Sequence, residues 1–273
     1  MHSHFRSADA GHVQGLAGKV IALTEAGDGI GAAAARLLAA RGAHVMLGAR
    51  SLGPAAALAG TLAQYGGSAR ALAVDVADRR DMQRFISLAH AWFGRLDVIV
   101  NSAGVALPSR LDALCVDDWD RMIDVNLRGA LHAVAAGLPL LQARGQGQII
   151  HIAARDGDSG GAVHGATQQA LRTLSEGLRR EVGEALSVTL ISLARAEAAG
   201  TEAQWCDAGA RAIALAVAQA HEADVSEIVV RLGARCSGLE TIADQRFPAS
   251  PSGSRRFFGE NGARPRSSGA NLN

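Results

Sequence analysis

The stretch TEAGDGIG, Thr24 to Gly31, directly follows the apolar run GKVIAL and spaces Gly27, Gly29 and Gly31 at alternate positions. Glycines in a turn between a strand and a helix let the backbone close on a pyrophosphate. There the unpaired N–H groups and dipole of the helix N-terminus favour an anion. Two carboxylates, Glu25 and Asp28, share this turn. Like charges at contact distance near a surface repel by a few kcal/mol, so each acid facing a pyrophosphate weakens binding about tenfold or more. Glu25 also carries a Cβ, which disfavours the positive φ that glycine adopts freely. The histidines offer no metal chemistry beyond weak binding by His2, His4 and His12; His132 is read as a helix-surface residue and His151 as a strand-end residue.

These residues must be held by a frame, and periodicity supplies one. Short β-branched runs alternate with alanine- and leucine-rich helical stretches to about residue 231, the pattern of a parallel, doubly wound α/β fold. Strands are expected at Val20–Thr24, His44–Leu47, Ala71–Val74, Val98–Val100, Gln148–Ala153, Ser187–Ser192 and Glu227–Arg231. Amphipathic helices are expected to begin near Gly29, Pro54, Arg79, Val116, Gly161 and Asp207. The result is one domain with a seven-stranded parallel sheet over residues 16–236, behind a disordered leader (1–15) and ahead of a disordered tail (237–273). From Arg246 onward the tail carries five arginines against one glutamate, a net +4, and a Phe257–Phe258 pair.

Composition narrows the classes. The 273 residues are 48% hydrophobic, with 27 basic and 26 acidic side chains and a net charge of +1. That balance argues against a nucleic-acid or membrane surface as the main partner. The three cysteines Cys115, Cys206 and Cys236 are odd in number and far apart, which fits a reducing cytoplasm and no metal site. No apolar run reaches the length of a membrane span, and the leader lacks the apolar core of a signal peptide.

Several ordered segments together resemble the short-chain dehydrogenase/reductase family over residues 16 to 232. Thr24–Gly31 resembles its TGxxxGIG, Asp75–Val76 its Asp-Val after the third strand, and Asn101–Gly104 (NSAG) its NNAG. Asn126 in DVNLRG resembles its fourth-helix Asn. HGATQQALRTLSEGLRREV is similar to YxATKxALRxxSExLRxEL, and VSEIVVR resembles the last strand of the branch that reduces small hydroxy acids and aldehydes. The resemblance implies a Rossmann fold and a cofactor cleft formed by Thr24, Gly27, Gly29, Ile30, Gly31, Asp75, Val76, Asn101, Ala103 and Gly104. Asp75 would bind adenine, and Asn101 would lie beneath the adenosine ribose. Arg50, directly after the second strand, implies NADP(H) through its 2′-phosphate, since Ala49 offers no carboxylate to a 2′-hydroxyl. Whether Arg50 is that reader or a surface arginine stays open.

Departures from the family pattern bear on the reaction. Aligning IIHIAARDG on IVNISSxxG places Ala154 at the catalytic serine, and His164 and Gln168 stand for the tyrosine and lysine. The single tyrosine, Tyr65, and single lysine, Lys19, lie elsewhere. Of the four catalytic positions Asn126 alone is kept, and losing the serine's oxyanion hydrogen bond costs about 10²–10³ in rate. An imidazole titrates near pH 6.5 unaided, whereas a phenol near pH 10 needs the lysine. His164 is therefore suited to acid/base work, with Gln168 on a ribose hydroxyl and Asp156 or Asp158 orienting the ring and raising its pKa. The alternative is a partly exposed histidine in a relict cleft. Leu193–Ala194 replaces the Pro-Gly of the family, Thr201 lies late, and the connection to the next helix is short, which implies an open lid; Trp205 either partly closes it or, the commoner fate of tryptophan, is buried against the core. Three classes stay open: a repurposed, biosynthetic enzyme using His164, with or without NADP(H); a non-catalytic subunit pairing with an active relative; and a nucleotide-sensing regulator. The resemblance also implies dimers or tetramers formed through the helices from Val116 and Gly161.

Overall fold

The computed structural model describes residues 15–154, 161–195, 201–219 and 225–232. Seven strands form one sheet: β1 (Val20–Leu23), β2 (His44–Ala49), β3 (Ser68–Ala73), β4 (Val98–Asn101), β5 (Gly147–Ala154), β6 (Leu186–Arg195) and β7 (Glu227–Leu232). All pair in parallel, in the order β3-β2-β1-β4-β5-β6-β7. The helices are α1 (Gly29–Ala40), α2 (Leu52–Gln64), α3 (Arg79–Phe93), α4 (Val116–Ile123), α5 (Gly129–Arg144), α6 (Gly161–Val182) and α7 (Glu202–Gln219).

The apolar runs explain why the sheet is central. β1 (VIAL) and β4 (VIVN) are buried at every position, as a strand covered on both faces must be. Alternation along β1 sends Ile21 and Leu23 into one core with α1, α2 and α7, and Val20 and Ala22 into a second with α3 and α5. Small residues bring the layers close: a Cβ on Gly209 of α7 would lie 2.9 Å from Ile30 of α1. The strand order reverses between β1 and β4, the switch point at whose carboxyl ends open α/β sheets bind ligands. At the opposite edge, Asp97 accepts from Val20 N (2.8 Å) and pairs with Arg95 (2.6 Å) and Arg144.

The expected fold class and all seven strands are observed, but several boundaries shift by two or more residues, and α5 (Gly129–Arg144) is a separate helix where none was expected. β3 starts at Ser68, three positions before the expected Ala71, because Ser68–Arg70 pair with His44–Met46 although they carry no β-branched residue. α7 starts at Glu202 rather than near Asp207. Thr201 and Gln204 cap it reciprocally, with Thr201 N donating to Gln204 Oε1 (2.8 Å) and Gln204 N to Thr201 Oγ1 (3.3 Å). Trp205 packs against the core. The leader and the tail fall outside the described residues but for Gly15, and among those described no helix is long and apolar enough to cross a membrane.

Candidate functional site

The glycine turn is latched to the neighbouring strand by Thr24. Its Oγ1 donates to Val100 O (3.3 Å) and accepts from Ser102 N (3.0 Å) and Ala103 N (3.2 Å), which ties the turn to the NSAG loop. Gly31 has no alternative, since a Cβ there would lie 2.1 Å from Glu25 O. Gly27 has ordinary contacts with Ala49 and Pro54. Gly29 takes φ 52°, and Glu25, the non-glycine in the turn, is held at φ 54°. That is the left-handed conformation its Cβ disfavours. The Glu25 carboxyl is pushed above the usual carboxylate range, first by burial and then by Asp28, with Arg50 and Arg121 opposing. Asp28, the N-cap of α1, makes no side-chain cap bond, and burial raises its carboxyl too. The first-turn N–H groups of α1 face the same turn and remain donors for an anion.

Of the residues expected to meet the adenosine half, Arg50 is exposed directly after β2. Asp75 turns back on its own loop: Oδ1 accepts from Ala77 N (3.0 Å), and Oδ2 pairs with Arg121 at 3.5 Å. Val76 is buried, and its carbonyl accepts from His132 Nδ1 (3.0 Å), which places the proton of that ring on Nδ1. Asn101 is buried at the end of β4, with Nδ2 3.2 Å from His151 Nδ1. His151 is not at a strand end: it lies within β5, wholly buried, and burial pushes its imidazole down to about 4.

The candidate catalytic positions His164 and Gln168 lie on α6. His164 is 4% exposed, so the partly exposed alternative does not hold. Its Nδ1 has no hydrogen-bond partner among the described residues, and burial lowers its pKa. Asp156 and Asp158, expected to orient the ring and raise its pKa, lie outside the described residues. Thr167, one turn on, donates to His164 O (2.7 Å) and accepts from Asn126 Nδ2 (3.0 Å). Asn126 sits in a π-helical turn, Asp124–Arg128, between α4 and α5. It also clamps Val105, accepting from its N–H (2.7 Å) and donating to its carbonyl (2.9 Å). Gln168 uses Oε1 to accept from Ala154 N (2.8 Å), tying α6 to the end of β5.

Thus Asn126, His164 and, through its helix, Gln168 share one network, while Lys19 donates to Val217 O (2.9 Å) at the far edge and Tyr65 is exposed behind α2. Sequence reasoning missed Thr167, whose signal was a hydroxyl beside Gln168 on the same helix, and Arg121, which had none. No group of three or more His, Cys, Asp or Glu among the described residues could hold a metal.

A parallel sheet with the glycine turn at its switch point, NSAG tied to that turn and α6 beside it defines a class: the short-chain dehydrogenase fold. The family model described as short chain dehydrogenase matches residues 19–208, and the chain belongs to that family. It is 35% identical over 228 residues to an uncharacterised oxidoreductase of Staphylococcus aureus (strain MW2), covering 79% of this chain and 98% of that protein. It is 40% identical over 166 residues to an uncharacterised oxidoreductase of Listeria monocytogenes, covering 60% and 67%. Among solved structures it resembles a metagenomic short-chain oxidoreductase in complex with NADP, with TM-score 0.73, 31% identity, and 81% and 100% of the two chains covered. A variant of a Serratia marcescens short-chain dehydrogenase/reductase superposes with TM-score 0.68 at 30% identity, covering 81% and 99%.

Proposed function

We propose that this protein is an atypical enzyme of its family, in which His164 moves the proton, working on a small carbonyl or hydroxyl compound beside NADP(H). The observation that carries this reading is the buried imidazole whose Nδ1 has no partner among the described residues, on the helix whose backbone the Asn126–Thr167 chain fixes. Burial favours the neutral ring, so His164 works as a base at neutral pH and returns the proton as an acid.

The turn fits a dinucleotide in shape. Gly31 is bare where a Cβ would strike backbone, and the first-turn donors of α1 are uncapped by any side chain. Gly27, Gly29, Ile30 and Gly31 would hold the pyrophosphate, Asp75, Val76, Asn101, Ala103 and Gly104 the adenosine half, and Arg50 a 2′-phosphate. Glu25 and Asp28 oppose that fit by charge and set a weak affinity. A bound nicotinamide supplies hydride exchange. Gln168 Nε2 would hold a ribose hydroxyl, and Ala154 contributes no hydroxyl to an oxyanion, so turnover of ordinary ketones is slow. That NADP is the ligand of the metagenomic relative supports the cofactor assignment.

Fluorescence titration with NADPH, followed by a ketone and hydroxy-acid panel on wild type and His164→Ala, tests this reading. Binding, with any turnover lost in the variant, is expected. Binding with turnover that survives the substitution overturns the catalytic role. No binding at millimolar NADPH favours a non-catalytic subunit that pairs with an active relative.

A further inference from the structure

Asn101 and His151 are register partners in the β4–β5 ladder, so their side chains leave the same face of the sheet side by side. The 3.2 Å contact joins Asn101 Nδ2 to His151 Nδ1. An amide nitrogen is a donor, so Nδ1 is the acceptor and the imidazole proton sits on Nε2. Among the described residues Nε2 has no partner, in a side chain with no exposure. A buried orphan donor is costly, and an apolar residue of similar size would avoid it. The ring therefore does something that shape alone does not require. It removes the freedom of the Asn101 amide, whose terminal torsion is otherwise broad and two-fold. With Nδ2 engaged, Oδ1 is the end left to accept from a hydroxyl.

We infer that His151 is a positioning residue for dinucleotide binding: it accepts from Asn101 Nδ2 and so presents Asn101 Oδ1 as an acceptor to a ribose hydroxyl. This rests on the nucleotide-binding reading above. Asparagine, the residue the family pattern places here, can also accept from Nδ2; leucine fills the volume and cannot.

The test uses the full chain. In ¹⁵N spectra of the wild type, His151 Nδ1 is expected as the unprotonated nitrogen at neutral pH, with a resonance that moves in Asn101→Ala. NADPH titration is expected to show binding weakened about tenfold in His151→Leu, at unchanged or raised melting temperature, and restored to within about threefold in His151→Asn. His151→Leu binding NADPH as tightly as the wild type overturns the positioning role alone. A protonated Nδ1 overturns it independently of any variant that fails to fold. A wild type that binds no NADPH defeats the nucleotide reading and this role with it.

Discussion

Replacing Glu25 by glycine should both stabilise the protein and tighten NADPH. Glu25 is held at φ 54°, in the turn that Gly31 closes on from the other side. A non-glycine residue in the left-handed region costs about 1–2 kcal/mol. Glycine removes that cost but gives the unfolded chain extra freedom worth about 0.5–1 kcal/mol. The net gain is about 0.5–1 kcal/mol, or roughly 1–4 °C in melting temperature for a chain of this size. The side chain is also an acid in a half-buried place beside Asp28. Two unit charges about 8 Å apart near a surface repel by about 2 kcal/mol before salt screening, so NADPH affinity should rise about tenfold. Glu25→Gln separates the effects, since it removes the charge and keeps the Cβ: affinity should rise while the strain stays. The pH dependence has a definite sign. A carboxyl whose folded pKa is raised contributes stability that is full below the ordinary carboxylate range and is lost as pH rises through the folded value. The advantage of Glu25→Gly over wild type should therefore shrink as pH falls from 7 toward 5. Thermal scans and fluorescence titrations on the three proteins decide it. A lower melting temperature for Glu25→Gly, or unchanged NADPH affinity in both variants, would refute the reasoning.

Other substitutions probe separate parts of the cleft. Arg50→Ala should weaken NADPH about tenfold and leave NADH unchanged, because a 2′-phosphate is the difference between them; parallel titrations read this out. Asn126→Ala removes both bonds to Val105 and the one to Thr167, and should cost about 2–4 kcal/mol in denaturant unfolding. His151 is neutral when folded, with its imidazole at about 4. Protonation of the unfolded ring therefore lowers stability as pH falls from 6.5 to about 4, by about 3 kcal/mol in all, and has no effect above 6.5. His151→Leu should flatten that limb of the stability–pH curve.

Most of the frame was legible because its signals are local. β1 and β4 announce themselves as uninterrupted apolar runs, and α1, α3, α4 and α6 start at the residues expected, Gly29, Arg79, Val116 and Gly161. The strain at Glu25 was legible too, since a Cβ stands where the turn needs glycine. β3 was harder, because its first residues, Ser68, Ala69 and Arg70, owe their extension to pairing with β2 and not to propensity. The start of α7 was written in Thr201 and Gln204, a capping box whose glutamine masked it. What could not be read is what joins distant segments. The pairing of Asn101 with His151 spans fifty residues and depends on strand register. The π-helical turn that aims Asn126 at Val105 and Thr167 leaves no pattern in DVNLR. Gln168 looked like a ribose ligand by position, and β5 claims one end of its amide.

The proposed function requires a neutral imidazole at His164 beside a bound dinucleotide and its substrate. Following the His164 ring resonances by NMR across pH 4–8, with and without saturating NADP⁺, measures both properties at once. The expected result is a titration midpoint below 6.5, as burial dictates, and a clear shift of the ring signals when NADP⁺ is added. A midpoint at or above 6.5, or signals that NADP⁺ leaves in place, would contradict it.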